Sequence, residues 1–139
     1  FDPNRRNRLG FALSDITQHL PGAFLIYKAD PENDQILFAN QELVTYAGCK
    51  NLDEFMQYSK HSFRNLIRSD EQEAVEKSIW QQIRSQAAGT NDFVQFHFVK
   101  KDGSTHPVLD HGRIVESNYY GNVFYVLIMD CQLLDEHYD

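Results

Sequence analysis

Val123-Phe124-Tyr125-Val126-Leu127-Ile128-Met129 is a nearly continuous apolar run, with a turn-forming stretch at 118–122 before it and Asp130 after it. β-Branched and aromatic side chains dominate the run, and its length suits a strand rather than a helix or a membrane span. Continuity without polar alternation predicts that both faces are covered, which places this strand centrally in its sheet. The rest of the chain is read as what surrounds it.

Upstream, residues 92–101 alternate, with Val94, Phe96 and Phe98 set against Gln95 and His97. Period-two alternation marks a half-buried strand. Asp102-Gly103 then reads as a two-residue hairpin turn with positive φ at both central positions, and residues 108–115 return. Near the start of the chain, residues 23–27 and 35–39 form two more short strands around the turn Asp30-Pro31-Glu32-Asn33-Asp34.

Helical signals fill the middle. Asn40 caps a short helix carrying Leu43, Val44 and Ala47, and Gly48 ends it. Asn51 with Glu54 forms a capping box for a second helix, with Leu52, Phe55 and Met56 facing inward. Phe63, Leu66 and Ile67 suggest one further turn. Ser69 and Gln72 make a third box-like start, opening the longest helix, whose buried stripe is Val75, Ile79, Ile83 and Ala87; Gly89 and Asn91 close it. Asp70, Glu71 and Glu73 at its start complement the helix dipole. Ahead of all this, Asp2-Pro3 opens an amphipathic helix with Leu9, Leu13, Ile16 and Leu20 along one seam, stopped by Leu20-Pro21-Gly22. That seam fits either its own domain or the same helix of a second chain.

The sum is an α+β domain. Two opening strands must join three closing ones in a five-stranded antiparallel sheet, with short helices and one longer helix on one face and an N-terminal amphipathic helix in front. The expected organisation is a flanking helix at 1–20, the domain proper at 21–132, and the start of a linker at 133–139. A chain of 139 residues with 42% hydrophobic and 24% charged residues is long enough for one real core. A net charge of -7 argues against nucleic acid, and the one basic group, Arg5, Arg6 and Arg8, reads as a solvated helix face. No apolar run reaches membrane-span length. Cys49 and Cys131 make no CxxC or metal-ligand spacing and read as reduced thiols in a cytoplasmic setting. A chain opening on Phe1 is expected to be a piece of a longer polypeptide.

Several stretches in order resemble the PAS family, in particular the PAS domains of bacterial diguanylate cyclases and sensor histidine kinases. They are Leu20-Pro21-Gly22 into the first strand, Ile36-Leu37-Phe38-Ala39-Asn40 from strand to capped helix, Asp53-Glu54-Phe55, the approach to the long helix from Phe63 onward, and Lys100-Lys101-Asp102-Gly103-Ser104. The resemblance covers about residues 20–131. Arg68-Ser69-Asp70-Glu71 stands where the family often has His-Pro-Asp-Asp, and Asp130-Cys131-Gln132 stands where it closes on Asp-Ile-Thr. The resemblance implies a sensory domain that is not itself an enzyme. It further implies a homodimer through the N-terminal helix and an effector in the same chain, a GGDEF or kinase domain, with Asp130 coupling the sheet to it. Flavin-binding photoreceptor members carry a reactive Cys in an Asn-Cys-Arg-Phe context, whereas Cys49 lies between Gly48 and Lys50. Haem-bearing members commonly offer a His from the long helix, and residues 70–88 contain none. Neither cofactor is expected; the resemblance leaves open a domain that senses an unidentified small molecule and a ligand-free module that only pairs chains.

Such a pocket would lie between the sheet and the helices. Its candidate walls are Phe55, Met56, Ile67, Ile79, Trp80, Phe96 and Phe98, the same residues a solid core would use. Trp80 lies off the helix stripe and would either flank a cleft or cover the sheet edge. A two-residue turn at Asp102-Gly103 would set His97 and His106 diagonally on one face with Asp110 beyond, the best metal-site geometry the chain offers; the favoured reading is an ordinary polar face. No glycine-rich phosphate loop, HExxH or nucleophile elbow is present. A small pocket enzyme would need His97, His106 or His111 to meet Asp110 in the cavity.

Overall fold

The computed structural model describes Ala12 and residues 19–133. Five strands and three helices follow in order: β1 (Ala23–Lys28), β2 (Ile36–Ala39), α1 (Gln41–Tyr46), α2 (Leu52–Ser59), a 3-10 turn (Phe63–Leu66), α3 (Gln72–Ser85), β3 (Asn91–Val99), β4 (Thr105–Ser117) and β5 (Gly121–Asp130). The strands form one antiparallel sheet in the order β2-β1-β5-β4-β3. The expected joining of the opening and closing strands therefore holds, with β5 at the centre. The expected N-terminal seam at Leu9, Leu13 and Ile16 lies outside the described residues; Leu20, at its end, is exposed.

One face of the sheet carries the core. Leu25 pairs with Ala39 and Val126, Val126 with Gly112, and Gly112 with Asp92, so these five positions form one row across all five strands. Phe96 and Phe98 of β3, Val108 of β4 and Phe124 of β5 are buried on the same side, packed with Phe55, Phe63, Leu66, Val75 and Ile79 from the helical layer. At ~2–3 kcal/mol for each fully buried large side chain, this shared layer is what holds the sheet and helices together.

Asn40 and Asn51 cap as expected, their side chains accepting from Leu43 N and Glu54 N. Five local expectations fail for identifiable reasons. Leu52 is exposed, because Phe55 is the one apolar residue of that helix that turns fully into the core. Ser69 does not cap α3. Glu71 occupies that position, while the Gln72 amide donates back to the Arg64 and Ile67 carbonyls. The helix then stops at Gln86, in the left-handed region, so Ala87 falls outside the stripe and is exposed; Gly89 belongs to the following turn and Asn91 opens β3. The outer flank of β5 is also not covered by the described residues: Tyr125 and Leu127 are exposed. Centrality is set by pairing, and it brought cover on one face only.

The fifth failure has consequences for the site. β3 and β4 are joined by a five-residue loop, Lys100 to Ser104, closed by a Lys100 N–H bond to the Ser104 carbonyl. Only Gly103 takes positive φ. The Asp102 carboxylate instead accepts from the Ser104 N–H and hydroxyl, and the Lys101 N–H bonds to the Ala47 carbonyl. An Asx-type turn tethered to α1 outcompetes the tighter hairpin. Register moves by one: His106 faces Phe98, and His97 faces Pro107.

Candidate functional site

A one-residue change of register reverses the face of every side chain on a strand. His97 and His106 therefore lie on opposite faces, and the expected metal geometry does not form. No group of three His, Cys, Asp or Glu able to hold a metal occurs among the described residues. His97 reaches outward to Glu71, at 3.1 Å, and that carboxylate also accepts the His97 backbone N–H. His106 lies at the rim, 3.8 Å from Asp130. His111 stacks on Phe93 on the outer face, with Nε2 3.0 Å from the Asn91 amide oxygen. None of the three accompanies Asp110, so the arrangement the enzyme reading required is not there.

The inner face holds something else. Asp92 of β3 and Asp110 of β4 are each only 1% exposed, and none of their four carboxyl oxygens has a hydrogen-bond partner. Asp92 sits over Gly112: a Cβ there would come within 2.6 Å of Asp92 Oδ2, so the glycine clears the space the carboxyl fills. Burying an unpaired carboxyl favours its neutral form. Burial pushes Asp92 up to about 6. Burial, with the Asp92 charge adding to it, pushes Asp110 far above the usual carboxylate range.

At Tyr27 lies a recess of about 20 Å³, room for one water-sized group. Its floor is Tyr27 stacked on Phe63, with ring centres 4.2 Å apart. Ile79 and Trp80 form the wall; Asp30, Pro31, Asp34 and Glu76 form the rim. Asp34 accepts from the Ser62 hydroxyl and the Arg64 N–H. Glu76 pairs with Arg64 at 3.2 Å, yet burial raises its carboxyl above the ordinary value. Tyr27 connects recess and interior: burial raises its hydroxyl well above the usual range, and Asp110, Asp92, Asp34 and Glu76 each add to that.

Of the wall candidates, Ile79 and Trp80 line the recess, and Trp80 packs edge-on against Phe124. Phe55, Ile67, Phe96 and Phe98 are buried as solid core, with Met56 half-buried against it. Asp92, Gly112 and Tyr27 escaped sequence reasoning. The signal for Asp92 was nevertheless there: it has the same parity as Phe96 and Phe98, which makes it an acid on the apolar side of its strand.

At the opposite end of the inner face, Asp130 closes β5. Its Oδ2 accepts from the Tyr46 hydroxyl at 2.6 Å, and its Oδ1 accepts from the N–H groups of Gln132 and Leu133. It thus joins sheet, α1 and the start of the segment beyond. Asn40 does the same for the other end of the chain, with Oδ1 accepting from Phe24 N and Leu43 N, and Nδ2 donating to the Gly22 carbonyl.

The sheet order with helices packed on its inner face recurs in solved structures. A PAS domain of an HTR-like protein from Haloarcula marismortui superposes with a TM-score of 0.60 at 17% identity, over 85% of this chain and 88% of that one. A PAS domain from a two-component sensor histidine kinase gives 0.62 at 12% identity, over 85% and 92%. The chain has the PAS fold. A LOV protein from Rhodobacter sphaeroides gives 0.64 at 14% identity, over 85% of this chain and 64% of that one. No family model matches the sequence, and no curated protein matches it. At these identities the PAS likeness is one of architecture, and the orphaned carboxyl pair is described for this chain alone. Among the described residues, no helix is long and apolar enough to cross a membrane.

Proposed function

We propose that this PAS domain is a non-catalytic sensory module of a cytoplasmic signalling protein. A small ligand held between the inner sheet face and α3 biases a two-state arrangement, which an attached output domain, of GGDEF or kinase type, reads. The supporting observation is the pair Asp92 and Asp110. A core kept only for packing gains nothing from two acids without partners, each of which costs about 1–3 kcal/mol relative to a satisfied group. Asp130 is the proposed exit for the signal, since its carboxylate already holds α1 and the Gln132 and Leu133 amides. Coupling of ~1–3 kcal/mol would suffice. Self-association is proposed through the Leu9, Leu13, Ile16 and Leu20 seam. The exposed Phe93, Tyr125 and Leu127 on the outer sheet face add apolar surface that such pairing would cover.

Native mass spectrometry of the chain, with its absorption spectrum, tests both parts. A retained small molecule and a two-chain mass are expected, with no visible chromophore. Recovery of ligand-free protein that no small-molecule extract stabilises would remove the sensing role. Leu13→Asp and Ile16→Asp should reduce the sedimenting mass to one chain; unchanged mass in both would remove the dimer.

A further inference from the structure

β3 lies at one edge of the sheet and is nine residues long, against four for β2 at the other edge. Its stretch Phe93-Val94-Gln95-Phe96-His97-Phe98-Val99 contains no Asp, Glu, Lys, Arg, Pro or Gly. A run of this kind on a free edge is a template for pairing with another strand. Alternate residues of an edge strand turn both backbone groups away from the sheet, and here these are Phe93, Gln95, His97 and Val99.

The helical layer takes up those groups with its own donors and acceptors. The Gln82 amide of α3 behaves like a residue of a neighbouring strand: its Oε1 accepts the Phe93 N–H and its Nε2 donates to the Phe93 carbonyl, both at 2.9 Å. Nε2 also donates to the Ser78 hydroxyl at 3.1 Å, which fixes the orientation of the amide. Further along, the Glu71 carboxylate accepts the His97 N–H at 2.8 Å, and the Arg68 N–H donates to the His97 carbonyl at 2.9 Å. The Tyr58 hydroxyl of α2 donates to the Val99 carbonyl. Gln95, exposed between them, has no such partner among the described residues.

We infer that the outer edge of β3 is a strand-addition site for a second copy of this chain, held shut by Gln82 and Glu71. Antiparallel pairing centred on Gln95 sets Phe93 of one copy opposite His97 of the other, so the edge complements itself and the contact closes as a pair. Phe93 and His97 are the two positions that Gln82 and Glu71 occupy, and the single residue left between them is too short for a strand to add. Gln82 lies on α3 and Glu71 at its N-cap position, so the edge stays closed only while α3 is seated on β3. This contact uses the rim of the sheet and is separate from the N-terminal seam.

Amide exchange and sedimentation velocity of the 139-residue chain test it. In the wild type, the Phe93 and His97 amides should be about tenfold better protected from exchange than that of Gln95. Gln82→Ala combined with Glu71→Ala should abolish that difference in dilute solution and, as concentration rises, about double the sedimenting mass relative to the wild type. Gln95→Lys in that background sets like charges opposite each other and should return the mass to the wild-type value. Should the double variant lose the native circular dichroism, Gln82→Glu alone, which keeps the acceptor for the Phe93 N–H and gives up the donor, reads the same association. Wild-type Phe93 and His97 amides no better protected than Gln95 would overturn the closed edge. A folded variant whose mass stays at the wild-type value, or one that Gln95→Lys leaves doubled, would overturn the second-copy assignment.

Discussion

Asn40 and the pair Asp92–Asp110 are all almost fully buried, yet they are treated in opposite ways. Asn40 has both side-chain heavy atoms bonded, to Phe24, Leu43 and Gly22, and welds the start of β1 to α1. The Asp92 and Asp110 carboxyls have no hydrogen bonds. A satisfied buried polar group fixes one geometry, while an unsatisfied one costs free energy in the folded state until a partner arrives. The difference separates the part of the domain that is scaffold from the part that is receptive.

The contrast breaks hardest at the scaffold end. Asn40→Ala removes a helix cap and strands the Phe24 N–H and Gly22 carbonyl, so urea denaturation should show a loss of about 3 kcal/mol. At the receptive end the pH dependence should run against the common trend. Asp92 has a raised folded value, so the folded form holds its proton where the unfolded chain has released it. Stability is full below about 3.8 and falls as pH rises toward about 6, by about 2–3 kcal/mol in total. Urea midpoints from pH 3.5 to 7 should drop accordingly, and Asp92→Asn should make the drop shallower while Asp110, also raised, keeps part of it; a midpoint rising over that span would contradict the orphaned state. Gly112→Ala should cost about 1–2 kcal/mol by pressing on the Asp92 carboxyl, and the cost should vanish in an Asp92→Ala background. Smallest is Tyr46→Phe, which removes the bond to Asp130 for about 1 kcal/mol, with faster amide exchange at Gln132 and Leu133 as its local signature.

How far the sequence carried can be seen element by element. The Asn40 and Asn51 caps, the alternation of Phe96 and Phe98, and the apolar length of β5 were all visible, because capping and strand parity act within a few residues of the signal. The Asp102-Gly103 turn misled, because a dipeptide preference of this kind is weak against the Lys101–Ala47 and Asp102–Ser104 bonds that tie the loop to α1. That single residue of register moved His106 away from His97. Asp92 sat in plain view, but its parity meant nothing until Gly112 of another strand opened a space beneath it.

What the chain determined by itself was the set of elements, which strand lies centrally, and the apolar faces that must meet, since these follow from local backbone preference and side-chain period. Tertiary structure alone decided which acids ended up together without partners, and it shaped the recess at Tyr27. Those properties depend on register across strands distant in sequence and on the space left between sheet and helix, and neither is written in any local pattern of residues.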